Sequence, residues 1–347
     1  MKLGLVGYPQ VGKKTLFKLL TGQEAQAAGL GLAPVHDARL EHLVTLYNPR
    51  KRTPATIEIA LLPDLEEDSQ KNADALKSLE QVDAICHLVR SFADESVYHL
   101  AGSVDSARDI SRFAEELLFA DMIFVDKRLE RIARERKGQK EESREKDLLE
   151  RMQSQLEAGQ PLSKFDFSAE EEKLVASYPL LTRKPVVNIL NTDEDAVQNG
   201  EQLETLQGEF AEAPFSWVAV SAKIEEELAE LDEEEREAFL AELGLSEPAL
   251  ARLTRLCYST LGLISFFTVG EDEVRAWTIR RGSLAPLAGR AIHTDIERGF
   301  IRAEIMRYRE LAELGDEQAV KAAGKLQQKG RDYEVADGDI IHFLFKV

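Results

Sequence analysis

The hydrophobic pattern of the chain predicts a buried, mostly parallel β-sheet. Short apolar runs alternate with segments of helical periodicity through the first 120 residues, and two more runs follow far downstream. Runs of this kind, rich in Val and Ile, are typical of strands that helices cover on both faces. They are Leu3–Val6, Ile57–Leu62, Ala84–Val89, Val186–Leu190 and Trp217–Val220. We therefore expect one α/β domain formed by residues 1–120 and 182–262.

The segment between these two stretches, residues 121–181, has a helical and highly charged pattern. A long charged helix is predicted from Arg128, and Lys137-Gly138-Gln139 is a suitable turn after it. A second helical pattern carries apolar residues at spacings of three and four, namely Leu148, Leu149, Met152 and Leu156. The two patterns predict an inserted antiparallel helical hairpin, a two-stranded coiled coil. Such a hairpin serves either as a binding arm or as a purely structural one.

The last part of the chain, residues 263–347, predicts a compact α+β domain. A helix is predicted from Arg298 to Leu314. Strands are predicted at Phe266–Val269, Val274–Ile279, Tyr333–Val335 and Ile340–Phe345.

The strongest chemical signal is a glycine-rich loop between the first apolar run and a helical segment. Gly7-Tyr8-Pro9-Gln10-Val11-Gly12-Lys13-Lys14-Thr15 matches a Walker A phosphate-binding loop at all but one position. The glycines let backbone N–H groups approach phosphate oxygens, and Lys13 would reach the β- and γ-phosphates. The residues predicted to bind the nucleotide phosphates are Gly7, Gln10, Val11, Gly12, Lys13, Lys14 and Thr15.

Three departures from the usual motifs argue against efficient hydrolysis. Lys14 stands where a Ser or Thr hydroxyl would bind Mg²⁺. Asp64-Leu65-Glu66-Glu67 replaces the expected Asp-x-x-Gly and adds negative charge near the nucleotide. No Thr lies between Thr21 and Arg39 to supply a switch-loop metal ligand, and Thr45 falls in a predicted helix. We assign no metal ligand, and Asp64 is a candidate for a water-mediated metal contact.

Two polar segments that follow later strands are candidates for reading a purine base. Asn191-Thr192-Asp193-Glu194 follows one buried strand and Ser221-Ala222-Lys223 follows the next, at the edge where α/β sheets bind ligands. Asn191 can pair with purine N7 and the exocyclic group, and the Ser221–Lys223 segment can support the base. Glu194 is one methylene longer than the Asp that reads guanine, so this segment does not predict a preference for guanine.

Composition and charge narrow the class of protein. The formal net charge is −19, which opposes non-specific binding to nucleic acid over the whole surface. Two basic patches, Arg275–Arg309 and Lys127–Lys146, are either solvated faces or contacts for a polyanion such as ribosomal RNA. No apolar run is long enough to span a membrane. Cys86 and Cys257 lie in apolar runs, as buried thiols of a reducing cytoplasm would.

Taken together, these segments resemble a YchF-type ATPase of the Obg-related P-loop family over essentially the whole chain. The resemblance implies a P-loop domain, a coiled-coil arm, a C-terminal TGS-like domain, ATP preference and association with the ribosome. It rests on Gly7–Thr15, Lys127–Arg131, Asn191–Glu194, Ser221–Lys223, Glu273–Thr278, Ile292–Glu304 and Asp337–Phe343.

Three functions are consistent with the sequence. The first is a cytoplasmic, monomeric, ribosome-associated protein that binds ATP or GTP, or their diphosphates, and hydrolyses them weakly. The second is an active Mg²⁺-dependent ATPase or GTPase with rearranged switches, in which Lys13 and Lys14 clamp the phosphates and Asp64 holds the metal through water. The third is a structural adaptor whose phosphate loop binds no nucleotide.

Overall fold

The computed structural model describes residues 1–24, 29–134 and 140–346 of the chain. The predicted turn Lys137-Gly138-Gln139 lies outside these residues. The strands are β1 (Lys2–Val6), β2 (Leu30–Pro34), β3 (Lys51–Thr53), β4 (Thr56–Leu61), β5 (Ala84–Arg90), β6 (Val186–Asn191), β7 (Phe215–Val220), β8 (Leu263–Thr268), β9 (Glu273–Arg280), β10 (Phe300–Arg307), β11 (Gln327–Lys329) and β12 (Asp339–Phe345).

The helices connect these strands and form the pair that follows β5. They are α1 (Lys13–Thr21), α2 (Ala38–Tyr47), α3 (Ala73–Leu79), α4 (Ser106–Arg134), α5 (Lys140–Glu157), α6 (Ala169–Val175), α7 (Glu194–Asn199), α8 (Glu201–Glu209), α9 (Ala222–Glu230), α10 (Glu233–Glu242), α11 (Ala249–Thr260), α12 (Ala285–Ile292), α13 (Thr294–Gly299), α14 (Tyr308–Leu314) and α15 (Glu317–Ala322). In the described residues, we find no helix that is both long and apolar enough to cross a membrane.

The first compact unit comprises Met1–Gly31 and Glu58–Leu250. Its sheet has the strand order β2-β4-β1-β5-β6-β7, and the pairs from β4 to β7 are parallel. The five strands predicted for this sheet are therefore confirmed, and β2 is an additional strand. Because parallel strands end at the same edge, the loops after β1, β5, β6 and β7 meet there.

The second compact unit comprises Leu32–Ile57 and Ala251–Val347. Its sheet has the order β11-β10-β12-β8-β9-β3, with buried Phe266, Ile305 and Ile341 in the core beneath α12 and α13. The α+β class predicted for the end of the chain is confirmed. The residues around α2 and β3 also belong to this unit, because β3 pairs in parallel with the start of β9. The division into three domains with limits at 120, 181 and 262 stays a prediction.

Two predictions for the C-terminal region are wrong. Arg298–Leu314 is not one helix, because Phe300–Arg307 forms strand β10 and pairs with β12 along its length. Pairing with a distant strand outweighs the local helical preference of the charged residues in this segment. Tyr333–Val335 is not a regular strand, since its only bridge in the described residues joins Glu334 to Leu284.

The long helical pair is confirmed, but its first helix begins earlier than predicted. α4 starts at Ser106 rather than at Arg128, so the predicted limit at residue 120 falls inside it. Arg128 pairs with Glu145, and Gln153 donates to Asp126, so α4 and α5 run antiparallel. Their contact is apolar, with the predicted residues all buried, namely Leu148, Leu149, Met152 and Leu156.

A buried carboxylate fixes the base of this helical pair. Asp121 of α4 accepts hydrogen bonds from the backbone N–H groups of Leu181 and Thr182 (2.7 and 2.9 Å) and from the Thr182 hydroxyl (2.6 Å). Burial nevertheless raises the pKa of Asp121 to about 6, from an ordinary value of 3.8. The folded chain therefore holds this proton more tightly than the unfolded chain does.

This raised pKa gives a testable pH dependence. As the pH falls from about 7 to about 4, wild type should gain up to about 3 kcal/mol of unfolding free energy relative to Asp121→Asn. Urea titrations across this range measure the difference. The exposed neighbour Asp126, changed to Asn, is the matched control. The assignment would be contradicted if the unfolding free energy of wild type, minus that of Asp121→Asn, stayed constant or decreased as the pH falls.

Candidate nucleotide-binding site

The predicted phosphate loop runs from the end of β1 at Val6 to the start of α1 at Lys13. Gln10 and Gly12 have positive φ angles of 64° and 92°. A Cβ atom on Gly7 would lie 2.5 Å from the carbonyl oxygen of Leu88, so only glycine fits there. No side chain caps α1 at Gly12. A phosphate here could accept hydrogen bonds from the N–H groups of the first helical turn.

Lys13 lies buried at the base of this loop. Its Nζ donates to the carbonyl oxygen of Leu62 (2.7 Å) and forms an ion pair with Asp64 (2.6 Å), although only 6% of the lysine side chain is exposed. Burial lowers the pKa of Lys13, and the Asp64 carboxylate opposes that shift. An incoming phosphate would therefore compete with Asp64 for this ammonium group.

The residues at the usual magnesium position do not fit the ion. Lys14 is exposed and presents a cation where a hydroxyl is needed, and Thr15 is half-buried one position further along α1. Asp64, the other candidate, is engaged by Lys13. Among the described residues, no group of three or more His, Cys, Asp and Glu side chains is placed to hold a metal. We therefore derive no chemical step through Mg²⁺.

The Asp64–Glu67 segment is anchored through its backbone. The N–H of buried Leu65 donates to the carbonyl oxygen of Gly7 (3.0 Å), which ties the segment to the phosphate loop. The side chain of buried Asn72 accepts from the N–H of Glu66 (2.7 Å) and donates to its carbonyl oxygen (3.1 Å). The segment therefore has a defined path although it lacks the expected glycine.

The negative charges of this segment have cationic neighbours that the sequence did not reveal. Glu66 lies 3.7 Å from Lys71, and Glu67 lies 3.6 Å from Arg112 of α4. All four side chains are at least two-fifths exposed, so each pair is weak. The pairs still reduce the repulsion that these two carboxylates would exert on a nucleotide phosphate.

Thr45, the first threonine after Thr21, belongs to the second compact unit. Thr45 lies in α2, as predicted, and its hydroxyl donates to the carbonyl oxygen of Glu41 (3.1 Å) in the same helix. β3 then joins the sheet of that unit beside β9. Thr45 is therefore bound into its own helix.

The amide of Asn191 connects the phosphate loop to the last predicted motif. At the end of β6, its Nδ2 donates to the carbonyl oxygen of Val11 (2.9 Å), and its Oδ1 accepts from the N–H of Ala222 (3.0 Å). We call this pair of bonds the Asn191 clasp. Asn191 is 5% exposed, so both bonds are shielded from water. The structure thus brings together three predicted segments that are far apart in the sequence.

The other residues predicted to bind the base lie in the segments that follow β6 and β7, and they differ in how exposed they are. Glu194 is exposed at the first position of α7, after Asp193 caps that helix. Ser221 is buried, and its hydroxyl accepts from the N–H of Ile224 at the start of α9. Lys223 is exposed on the next position after Ala222. Contact of Glu194, Ser221 and Lys223 with a base stays a prediction.

Comparison with known proteins decides the family. Residues 263–346 match the family model YchF-GTPase_C, described as a protein of unknown function. The chain is 40% identical to the ribosome-binding ATPase YchF of Bacillus subtilis. The alignment spans 365 residues and covers 99% of each of the two chains. The chain belongs to the YchF family.

Other YchF-family proteins extend this result to eukaryotes and to a solved structure. The Obg-like ATPase 1 of Rattus norvegicus is 38% identical over 99% of this chain and 92% of its own. The structure of the Schizosaccharomyces pombe YchF GTPase superposes with a TM-score of 0.86 at 32% identity, covering 99% of this chain and 97% of that one. The predicted resemblance and the P-loop α/β fold are therefore confirmed.

One polar cluster beside the phosphate loop of this YchF-family chain escaped the sequence analysis. Asp109 of α4 is 3% exposed, and its carboxylate lies 2.9 Å from Nε of Arg108 and 3.2 Å from Nε2 of His99. Burial, followed by the charge of Asp109, raises the pKa of Tyr8 in the loop to about 12. No motif marks these residues, because they meet only when α4 packs on the sheet.

The loop that carries His99 is ordered by a buried arginine. Arg90, the last residue of β5, is 2% exposed and lies over the ring of Phe92. Its guanidinium donates to backbone carbonyl oxygens of the following residues Phe92, Asp94 and Val97. The loop at this edge of the sheet is therefore held by charge-assisted hydrogen bonds rather than by regular secondary structure.

Proposed function

We propose that this chain binds a purine nucleotide at the Gly7–Thr15 loop, with ATP modestly preferred over GTP, and hydrolyses it weakly. The Asn191 clasp carries the proposal, because it joins the phosphate loop to the segment that would support the base. The buried ammonium of Lys13 supplies the charge for the phosphates. The names of the relatives, which call them ATPases, support ATP as the ligand.

Weak hydrolysis follows from the residues around Lys13. Lys14 offers positive charge but no metal ligand, and Glu67 replaces the glycine whose N–H would approach the γ-phosphate. Two ammonium groups can bind phosphates without a metal, yet they cannot order two switch segments as a shared Mg²⁺ ion does. The alternative, an active Mg²⁺-dependent ATPase, requires Asp64 to leave Lys13 and hold the metal through water.

Restoring the hydroxyl tests this assignment. In wild type, nucleotide affinity should change little with Mg²⁺, whereas in Lys14→Ser the ion should stimulate turnover at least about tenfold. Calorimetry and phosphate release, each with Mg²⁺ or EDTA, measure the two quantities, and Lys14→Ala is the matched control without a hydroxyl. Strong Mg²⁺ stimulation already present in wild type would favour the active ATPase. An unchanged Lys14→Ser variant would place the main defect in the switch segments.

We also propose that the chain associates with the ribosome in the cytoplasm, as a monomer, through the helical pair and the second compact unit. In the second unit, most arginines of the predicted basic segment Arg275–Arg309 are exposed: Arg280, Arg281, Arg290, Arg298, Arg302, Arg307 and Arg309. On a chain of net charge −19, such a patch directs a polyanion to one region. The relatives named ribosome-binding ATPases support ribosomal RNA as that polyanion.

Salt dependence tests this second part. Co-sedimentation with ribosomes should weaken steadily as KCl rises, since phosphate contacts release counterions. Changing Arg302 and Arg307 together to Gln should lower the slope of log affinity against log salt by up to about two. The exposed lysines Lys18 and Lys71 of the first unit, both changed to Gln, are the charge-matched control. Binding that ignores salt, or equal effects of both double variants, would contradict the arginine surface.

A further inference from the structure

The second turn of α4 places an arginine, Arg112, beside the phosphate loop. α4 begins where β5 ends, and the hydroxyl of Ser106 donates to the carbonyl oxygen of Arg90 (3.1 Å) at that point. β5 pairs in parallel with β1, the strand that leads into the phosphate loop. Burial raises the pKa of Tyr8 in that loop to about 12, and the positive charge of Arg112 opposes the rise. The guanidinium is therefore near enough to act on a residue of the loop.

Arg112 also contacts the segment that would meet the γ-phosphate. Its Nη1 lies 3.6 Å from Oε1 of Glu67. Glu67 stands where the expected glycine would bring its N–H to the γ-phosphate. The N–H of Leu65 donates to the carbonyl oxygen of Gly7 (3.0 Å), which keeps this segment against the phosphate loop. The guanidinium therefore lies beside the residue that would be next to the γ-phosphate.

The pair between Arg112 and Glu67 is loose enough to exchange partners. The two side chains are 42% and 56% exposed, and a pair so exposed and so long contributes little to stability. Arg108, one turn earlier on α4, is held more firmly. It donates to the carboxylate of Asp109 (2.9 Å) and to the carbonyl oxygen of Ser103 (2.8 Å). Of these two arginines, Arg112 is the one that a ligand can recruit at little cost.

A γ-phosphate is a better partner for Arg112 than Glu67 is. It carries more negative charge than a carboxylate, and its oxygens match the fork of the guanidinium. Lys14 stands at the usual magnesium position and cannot hold the ion, so the γ-phosphate would depend on the cations of the chain itself. In other phosphate-binding proteins, an arginine of the same chain can supply such charge.

We propose that Arg112 turns from Glu67 to the γ-phosphate when a nucleoside triphosphate binds, and that it thereby distinguishes ATP from ADP. Because this role requires nucleotide at the Gly7–Thr15 loop, it rests on the function proposed above. Arg112 is then a γ-phosphate ligand supplied by α4. Glu67 keeps the guanidinium within reach while the site holds a diphosphate or no nucleotide.

Calorimetric titration of the nucleotide-free full chain with ATP and with ADP, both in EDTA, tests this role through the ratio of the two affinities. Arg112→Gln should weaken ATP binding about tenfold and ADP binding less than about twofold, because only ATP has the γ-phosphate. Arg112→Lys should keep part of the preference for ATP, since it retains the charge but not the fork. Lys71→Gln is the matched control, because Lys71 is exposed and pairs with the neighbouring Glu66 (3.7 Å). It should leave the ratio unchanged.

The Glu67→Gln background separates direct contact from an indirect effect. Removing Arg112 also leaves Glu67 unpaired, and that carboxylate alone would repel the γ-phosphate. If Arg112 contacts the phosphate, adding Arg112→Gln to Glu67→Gln should still lower the ratio of ATP to ADP affinity about tenfold.

Two results would overturn the role of Arg112 while leaving nucleotide binding intact. One is a ratio that Arg112→Gln does not change in the Glu67→Gln background. The other is an equal fall of the ratio in Lys71→Gln, which would show only a general effect of charge. A wild-type chain that bound neither ATP nor ADP would contradict both this role and the function on which it rests.

Discussion

Lys13→Ala is expected to weaken ATP binding about 100-fold. Hydrogen bonds from a charged donor are worth about 1.5–3 kcal/mol, and the loss of this ammonium would remove at least one of them from the phosphates. The effect should be large because Lys13 is 6% exposed and so acts where water screens little. Calorimetric titration of purified, nucleotide-free protein measures the change in affinity.

The same helix supplies the control for this prediction. Lys18 also lies on α1, but it is exposed and pairs with Glu24 (2.6 Å) rather than with the loop. Lys18→Ala should bind ATP as wild type does. If Lys13→Ala kept wild-type affinity while its unfolding transition stayed intact, the loop would not be the phosphate site.

Asn191→Ala is expected to lower the free energy of unfolding by about 2–4 kcal/mol and to weaken nucleotide binding strongly. The substitution removes both bonds of the Asn191 clasp and leaves the carbonyl oxygen of Val11 and the N–H of Ala222 unpaired in a buried place. Each unpaired buried group costs about 1–3 kcal/mol. Without the clasp, the phosphate loop and the start of α9 also lose their fixed spacing.

Urea unfolding and nucleotide titration of Asn191→Ala separate the two effects. Asn199→Ala is the matched control, because Asn199 is exposed in α7 and its side chain accepts from the N–H of Glu201; this substitution should cost less than about 1 kcal/mol. A stable Asn191→Ala protein with unchanged nucleotide affinity would show that the clasp is not part of the site. Loss of stability alone, with affinity retained, would limit its role to the fold.

Much of the first sheet could be predicted because its strands and its phosphate loop are each specified by a short, contiguous stretch of sequence. The strands β1, β5 and β6 are short, mostly apolar runs. The phosphate loop is a contiguous motif, and Gly7 is required there because a Cβ atom would clash with the carbonyl oxygen of Leu88. Asn191 could be named from the sequence as well. Its two partners could not, because Val11 lies 180 residues away and both contacts are to backbone atoms.

The features that could not be predicted depend on contacts between distant segments. Strand β10 lies in a charged segment for which a helix was predicted, and its pairing with β12 makes it extended. Lys51–Thr53 is short and polar, so nothing local shows that it pairs with β9. The pairing of Glu67 with Arg112 likewise depends on how α4 lies against the sheet. All three features depend on tertiary contacts between distant segments, which the local sequence does not specify.

The most direct test of the central claim is a calorimetric titration of nucleotide-free wild-type protein with ATP and GTP, each with Mg²⁺ and with EDTA. We predict saturable binding of one nucleotide per chain, modestly tighter for ATP, with little change when EDTA replaces Mg²⁺. GTP affinity equal to or above that for ATP would contradict the role given to Glu194. The absence of binding by any nucleotide at saturating concentration would contradict the account as a whole and leave a structural adaptor.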